Sequence, residues 1–176
     1  IGICNGFQVL MKMGLLPEVK GAQTSLTGDK QRFTLTYNDS NKFEDRWVYL
    51  KSASNKSVFV DNDSFMYVPI AHAEGKFVAE NQEDIEKLDK SGQIVFKYVD
   101  KDGNMSDYPW NPNGSSGNIA GVCDSTGRVL GMMPHPERHI DPTQHPRWTR
   151  EGLKTEGDGI AIFRNAVNYI SRTFSS

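Results

Sequence analysis

Gly2-Ile3-Cys4-Asn5-Gly6 has the Gly-x-nucleophile-x-Gly spacing of a nucleophile elbow, with cysteine in the nucleophile position. Such a turn runs from strand to helix and holds its nucleophile in a strained backbone conformation. Side chains two residues to either side would collide there, so glycine is expected at both flanks. Phe7, Leu10 and Met11 follow at helical spacing and Gly14 and Pro17 supply a stop, so residues 5–13 read as a short helix with Cys4 at its mouth. The unpaired N–H groups and positive dipole end at that mouth favour thiolate over thiol. The backbone N–H of Asn5 is the candidate oxyanion donor. A lone five-residue match also suits a small buried cysteine in a Gly-rich turn, so a second element has to decide.

That element is Met132-Met133-Pro134-His135-Pro136-Glu137-Arg138, placed at the end of an apolar strand, where active-site loops tend to lie. Pro136 biases His135 toward an extended conformation and stiffens the tripeptide. Glu137 can then hold one imidazole nitrogen while the other faces Cys4, the arrangement of nucleophile, base and orienting acid. His72 reads as a structural hydrogen-bonding residue, and His139 and His145 as loop residues. His135 and His139 have metal-like spacing, but Pro136 prevents a regular helix across them and no further ligand cluster is evident, so no metal is expected.

Working outward, residues 31–79 show a period of two, with Phe33, Leu35 and Tyr37 on one face and Thr34 and Thr36 on the other. Arg46 to Lys51, Ser57 to Val60 and Met66 to Ala71 continue the strand series. Asn81 to Lys90 reads as a polar helix capped by Asn81 and solvated on most sides. Gln93 to Val99 is a strand, and Asn118 to Cys123 and Arg128 to Met133 form a hairpin around residues 124–127. Residues 134–157 lack periodicity, and a connection of that length is often functional; Arg138 to Gly157 within it reads as a partner-docking surface or a packed loop, its length and exposed character favouring docking. Asp158 should cap a last helix whose Ile160, Phe163, Val167, Ile170 and Phe174 form one buried stripe.

The bulk numbers narrow the field. A chain of 176 residues suits one domain, taken as 1–176. Its 20 basic and 22 acidic residues leave a formal charge of -2, which gives no footprint for nucleic acid or an anionic membrane. No apolar run approaches a membrane span. Cys4 and Cys123 stand far apart without a disulfide or zinc pattern, which fits a reducing, cytoplasmic setting. The start at Ile1, directly before the elbow, reads as a chain cut in mid-element.

With these residues in place, the sequence resembles the class I glutamine amidotransferases, and within them the glutaminase subunits of phosphoribosylformylglycinamidine synthases. Residues 2–8 are similar to that family's nucleophile segment and 132–138 to its His/Glu segment. Tyr108-Pro109-Trp110-Asn111-Pro112-Asn113-Gly114-Ser115, with Asn118 to Val122 after it, resembles a stretch found in this synthase and not in amidotransferases generally. Residues 70–75 are similar to the family's His-Gly-Glu-Gly, with Ala73 in place of the first Gly. The resemblance runs over essentially the whole chain.

It implies an α/β fold, a flavodoxin-like sheet with flanking helices whose N-terminal part is missing here. It implies that Cys4 attacks the side-chain amide of L-glutamine to form a thioester, that His135 moves the protons and that Glu137 supports it. Gln8, with Asn5 and Gly6, would hold the substrate. The ammonia would pass to a synthetase subunit that uses ATP and magnesium to amidate formylglycinamide ribonucleotide, with a small third subunit beside it. No cofactor is expected on this chain, which has no Walker loop. Family members supply a second oxyanion donor from a Gly-rich loop before the cysteine, so low or no glutaminase activity is expected of residues 1–176 alone. Two rivals are a γ-glutamyl hydrolase acting without a synthetase and a non-catalytic module that keeps the fold.

Overall fold

A computed structural model describes residues 1–18 and 31–174. The chain begins with β1 (Gly2–Ile3) and turns at once into α1 (Asn5–Lys12). Phe7 and Met11 of α1 are buried, one helical turn apart, and Gly14 at φ 69° ends the helix as its spacing predicts. β2 (Phe33–Thr36), β3 (Glu44–Ser52), β4 (Phe65–His72) and β5 (Lys76–Ala79) follow. Next come α2 (Gln82–Lys90), β6 (Ile94–Val99), β7 (Ile119–Cys123), β8 (Leu130–Met132), a one-turn α3 (Trp148–Glu151) and α4 (Ile160–Phe174).

Six strands form the main sheet in the order β1-β8-β7-β6-β3-β4, and β2 pairs with β5 in a separate ribbon. β1 lies parallel to β8 and the other pairings are antiparallel, so the α/β sheet is mixed. Strand alternation divides the core between the two faces. Ile119, Val122 and Met133 join Phe7, Met11, Phe33, Phe77 and Leu88 under α1, α2 and the ribbon. Ala120, Cys123 and Met132 face the other way, with Leu50, Ile70, Tyr98 and Ile162 of α4.

The β7–β8 hairpin forms as expected. Asn81 caps α2 through its Oδ1, which accepts the Asp84 N–H at 3.0 Å. That helix is less solvated than its composition suggests, because Leu88 and Asp84 face inward and Asp84 pairs with Arg32 at 2.8 Å.

Four strand and helix expectations are corrected. Ser57 to Val60 is a turn in which Phe59 and Val60 pack as core without joining a ladder. Tyr37 lies beyond the end of β2 and is 63 % exposed. In α4 the face that packs is Ile162 with Ala166, while Val167, Ile170 and Phe174 point outward. Asp158 does not spend its carboxylate on that helix: it accepts the Tyr67 N–H at 2.9 Å and the Lys154 ammonium at 2.7 Å.

The aperiodic stretch 134–157 covers the free edge of β4. The His135 N–H bonds the Pro69 carbonyl at 2.8 Å, His139 Nδ1 bonds the Tyr67 carbonyl at 2.7 Å, and Asp158 takes the Tyr67 N–H. An otherwise open sheet edge is thereby closed by side chains and turns. His139 lies in a bend, the loop residue it was expected to be, yet is fully buried against Trp47; His145 packs beside it.

Candidate active site

Cys4 sits between the end of β1 and the first turn of α1 with φ 50° and ψ -105°, a conformation that L-residues rarely adopt. Its N–H is tied to the Met132 carbonyl at 2.8 Å, so the elbow is fastened to β8. The flanking glycines do different work. A Cβ at Gly2 would lie 2.7 Å from backbone atoms of Gly6, whereas a Cβ at Gly6 would meet nothing within 4 Å. The expectation of a collision on both sides thus holds for Gly2 only; Gly6 keeps open space beside the nucleophile.

Two residues beyond Met133, which follows β8, His135 is placed by its backbone bond to Pro69 of β4. Its Nδ1 lies 2.6 Å from Glu137 Oε1. A carboxylate only accepts, so Nδ1 carries the hydrogen, and in the neutral imidazole the lone pair is on Nε2. That Nε2 is buried and has no hydrogen-bond partner among the described residues. The Cys4 Sγ lies 3.8 Å from the Ala71 carbonyl, two residues along β4 from Pro69. Nucleophile and base therefore flank the same end of one strand.

Burial pushes the Cys4 thiol up; the Asn5 N–H and Arg138 pull it down, Glu137 pushes it up, and the net direction is upward. The helix mouth alone does not yield the expected thiolate, because desolvation outweighs it. With the thiol pushed up, attack needs a base, and His135, held at the same end of β4, is the candidate.

Gln8 points its Nε2 at the Glu74 carbonyl, 2.7 Å away. The 71–75 loop thus forms a wall touched by both Cys4 and Gln8. His72 within it is buried, bonds Asn38 Oδ1 through Nδ1 at 3.1 Å, and is pushed down to about 4 by burial and by His135. It is neutral at physiological pH and hydrogen-bonded, as its structural reading anticipated. Ala73 has no positive φ, so alanine fits the place where the resemblance has glycine. Sequence reasoning missed Asn38, Asn113 and Arg138 as parts of this site. Arg138 and Asn113 do lie inside segments that the resemblance singled out, whereas nothing in the sequence around Asn38 marks it. No group of three or more His, Cys, Asp or Glu among the described residues could hold a metal ion.

A cysteine on a strand-to-helix elbow, with a His-Glu pair at the neighbouring strand end of a mixed α/β sheet, defines a class of cysteine-dependent amidohydrolases and amidotransferases. Residues 1–170 match the model of the CobB/CobQ-like glutamine amidotransferase domain, and the chain belongs to that family. It is 46 % identical over 171 residues to phosphoribosylformylglycinamidine synthase subunit PurQ of Dehalococcoides mccartyi, covering 96 % of this chain and 62 % of that protein. To the same subunit of Archaeoglobus fulgidus it is 47 % identical over 178 residues, covering 98 % of this chain and 63 % of the relative. The chain therefore spans less than two thirds of the length of these curated relatives. Among solved structures, that of PurLQS from Thermotoga maritima matches with a TM-score of 0.65 and 30 % identity, over 96 % of this chain and 60 % of that one. The expected class I amidotransferase fold agrees with this neighbour.

Proposed function

We propose that this chain is the glutaminase part of a phosphoribosylformylglycinamidine synthase. The observation that carries the reading is the strained Cys4 elbow beside a His135 whose Nδ1 is held by Glu137 at 2.6 Å and whose Nε2 is left free. The PurQ relatives and the PurLQS neighbour support the choice of synthase over a stand-alone hydrolase.

In this reading glutamine occupies the open space over Gly6, with Gln8 and the 71–75 loop at its side. His135 Nε2 takes the Cys4 proton as Sγ attacks the amide carbon, and the Asn5 N–H stabilises the oxyanion. The imidazolium, supported by Glu137, returns the proton to the departing nitrogen, which leaves as ammonia and gives a glutamyl thioester. Water, deprotonated by His135, then cleaves the thioester and releases glutamate. The ammonia goes to a synthetase subunit that uses ATP and magnesium on formylglycinamide ribonucleotide, with a small third subunit in the assembly. Nothing on this chain is assigned to ATP.

A cytoplasmic site of action belongs to the same proposal. Among the described residues no helix is long and apolar enough to cross a membrane. The test is synthesis in the assembled enzyme with either glutamine or ammonium as nitrogen donor. Cys4→Ala should abolish the glutamine-dependent reaction and leave the ammonium-dependent one intact. Glutamine-dependent synthesis that survives in Cys4→Ala would end the proposal.

A further inference from the structure

Cys4 and Gln8 both lean on carbonyls of the 71–75 loop, at Ala71 and Glu74, so whatever fixes that loop sets the geometry of the nucleophile. Two buried asparagines hold it. Asn38, 1 % exposed, donates its amide to the His72 carbonyl at 2.8 Å and accepts the Gly75 N–H at 3.1 Å, and its own N–H bonds the Ala73 carbonyl at 2.9 Å. Asn113, fully buried, donates to the Gly75 carbonyl at 2.8 Å and accepts the Ser115 hydroxyl at 2.7 Å. That Ser115 hydroxyl in turn accepts the N–H of Phe77, at the start of the strand that leaves the loop.

Asn113 touches neither sulfur nor open pocket, yet it stands close to the reacting centre. Its amide also lies 3.5 Å from the hydroxyl of Tyr98, a fully buried phenol that burial pushes up and that the nearby Cys4 pushes up further. The residues around Asn113 are shaped for this contact. Gly114 has φ 76°, a left-handed conformation that favours glycine, and a Cβ there would lie 1.8 Å from Asp39 Oδ2 and push that side chain aside from the turn that carries Asn38. The Asp39 N–H completes the joint by bonding the Asn113 carbonyl at 3.2 Å. The stretch Tyr108 to Ser115 is otherwise without a task in the site.

From this joint we infer that Asn113 is a positioning residue that acts through the 71–75 loop to keep the half-buried Cys4 thiol seated against Ala71 and aimed. For its substrate the inference rests on the glutaminase reading; for the thiol it stands on geometry alone. Removing the amide frees the Gly75 end of the loop. The thiol then loses its seat against Ala71 and becomes more exposed, which eases the burial that pushes it up and raises its thiolate fraction near neutral pH. A reaction that needs aim becomes slower, because a misplacement of the order of 1 Å can lower a rate by about a hundredfold.

The experiment compares wild type with Asn113→Ala in the intact assembly, using two reagents and mass-spectrometric readout of Cys4. Iodoacetamide reports thiolate exposure across pH, and the diazoketone analogue of glutamine reports aimed attack. Cys123, buried and pushed up to about 11, stays unlabelled while the fold is intact and serves as the internal check. Asn113→Ala should lower the pH midpoint for iodoacetamide while its maximal diazoketone labelling rate falls about tenfold. A remote variant that removes a comparable amide contact, Asn165→Ala, should change neither.

An unchanged midpoint together with an unchanged diazoketone rate in Asn113→Ala would overturn the inference. If that variant fails to fold, Ser115→Ala, which removes the hydroxyl that donates to Asn113 and accepts the Phe77 N–H, carries the same test with a smaller shift. If wild-type Cys4 ignores the diazoketone but the iodoacetamide midpoint still moves in the variant, the positioning role stands and the glutamine reading falls.

Discussion

Replacing either glycine of the elbow with alanine should give opposite results, and the reason is visible in the coordinates of two atoms. At Gly2 the new methyl would lie 2.5 Å from Leu10 Cδ1 and 2.7 Å from the carbonyl carbon and oxygen of Gly6. Leu10 can rotate away, but the Gly6 backbone is held in α1, so the strain falls on β1 and on the bond from the Cys4 N–H to Met132. Overpacking of this kind costs about 1–3 kcal/mol, and a rigid partner puts Gly2→Ala near the upper end. At Gly6 the methyl meets nothing within 4 Å, so the overpacking term vanishes there. Alanine in place of a helical glycine gains about 0.5–1 kcal/mol, with the smaller value apt for a first turn.

The two variants should thus differ by about 3.5 kcal/mol in stability, which at about 2–4 °C per kcal/mol is a gap of roughly 10 °C in melting temperature. Scanning calorimetry reads it directly. Gly6→Ala melting as low as Gly2→Ala would refute the reasoning, since both flanks would then be equally crowded. The Gly6 variant carries a second expectation. Its methyl takes up room beside the sulfur, so diazoketone labelling of Cys4 should slow in a protein that is fully folded.

Three further outcomes are expected. Asp124 accepts the N–H groups of Arg128 and Val129, each at 2.9 Å, and the Thr126 hydroxyl; burial pushes its carboxyl up, but these bonds outweigh burial and hold it below the ordinary range. A depressed carboxyl stabilises the fold above its unfolded value and loses that contribution as pH falls through the folded one. Urea unfolding should therefore show Asp124→Ala weaker by about 2–3 kcal/mol at neutral pH, with the gap to wild type closing below about pH 4. On α4, Val167→Lys and Ile170→Lys should each change stability by less than about 0.5 kcal/mol, whereas Ile162→Ala should lose about 2–5 kcal/mol by the same measurement. Glu137→Gln keeps the shape of the side chain but removes the charge that orients and supports His135, so glutamine-dependent turnover should fall by about a thousandfold or more with little change in melting temperature.

The parts of this molecule that the sequence displays openly are those governed by local rules. The elbow, its helix stop at Gly14, the Asn81 cap and the β7–β8 hairpin each follow from residues within a few positions of one another, and each forms as expected. Cys4, His135 and Glu137 stand out in the sequence because the proposed chemistry needs those residue types in those turns, and the fold brings their turns to one end of β4. What the sequence hid depends on partners far along the chain. The stripe Val167, Ile170 and Phe174 has helical spacing, but spacing cannot tell which of two apolar faces meets the sheet, and Ile162 with Ala166 meets it instead. Phe59 and Val60 look like strand because they are buried, and burial without a ladder partner makes a core turn. His139 has no local signal for burial; it is covered because β4 has an open edge that the 134–157 stretch must close. Asn38 and Asn113 escaped notice for the same reason, since their amides matter only where the topology brings residues 38, 75 and 113 together.

The account turns on Cys4 being a nucleophile directed at glutamine. The most direct measurement is peptide mapping by mass spectrometry after exposure to the diazoketone analogue of glutamine, on the protein that carries this chain and on its Cys4→Ala variant. One adduct on Cys4, prevented by excess glutamine and missing from the variant, is the predicted result. Cys4 left unmodified with the synthetase partner present would contradict the account and leave a fold-retaining subunit without the chemistry.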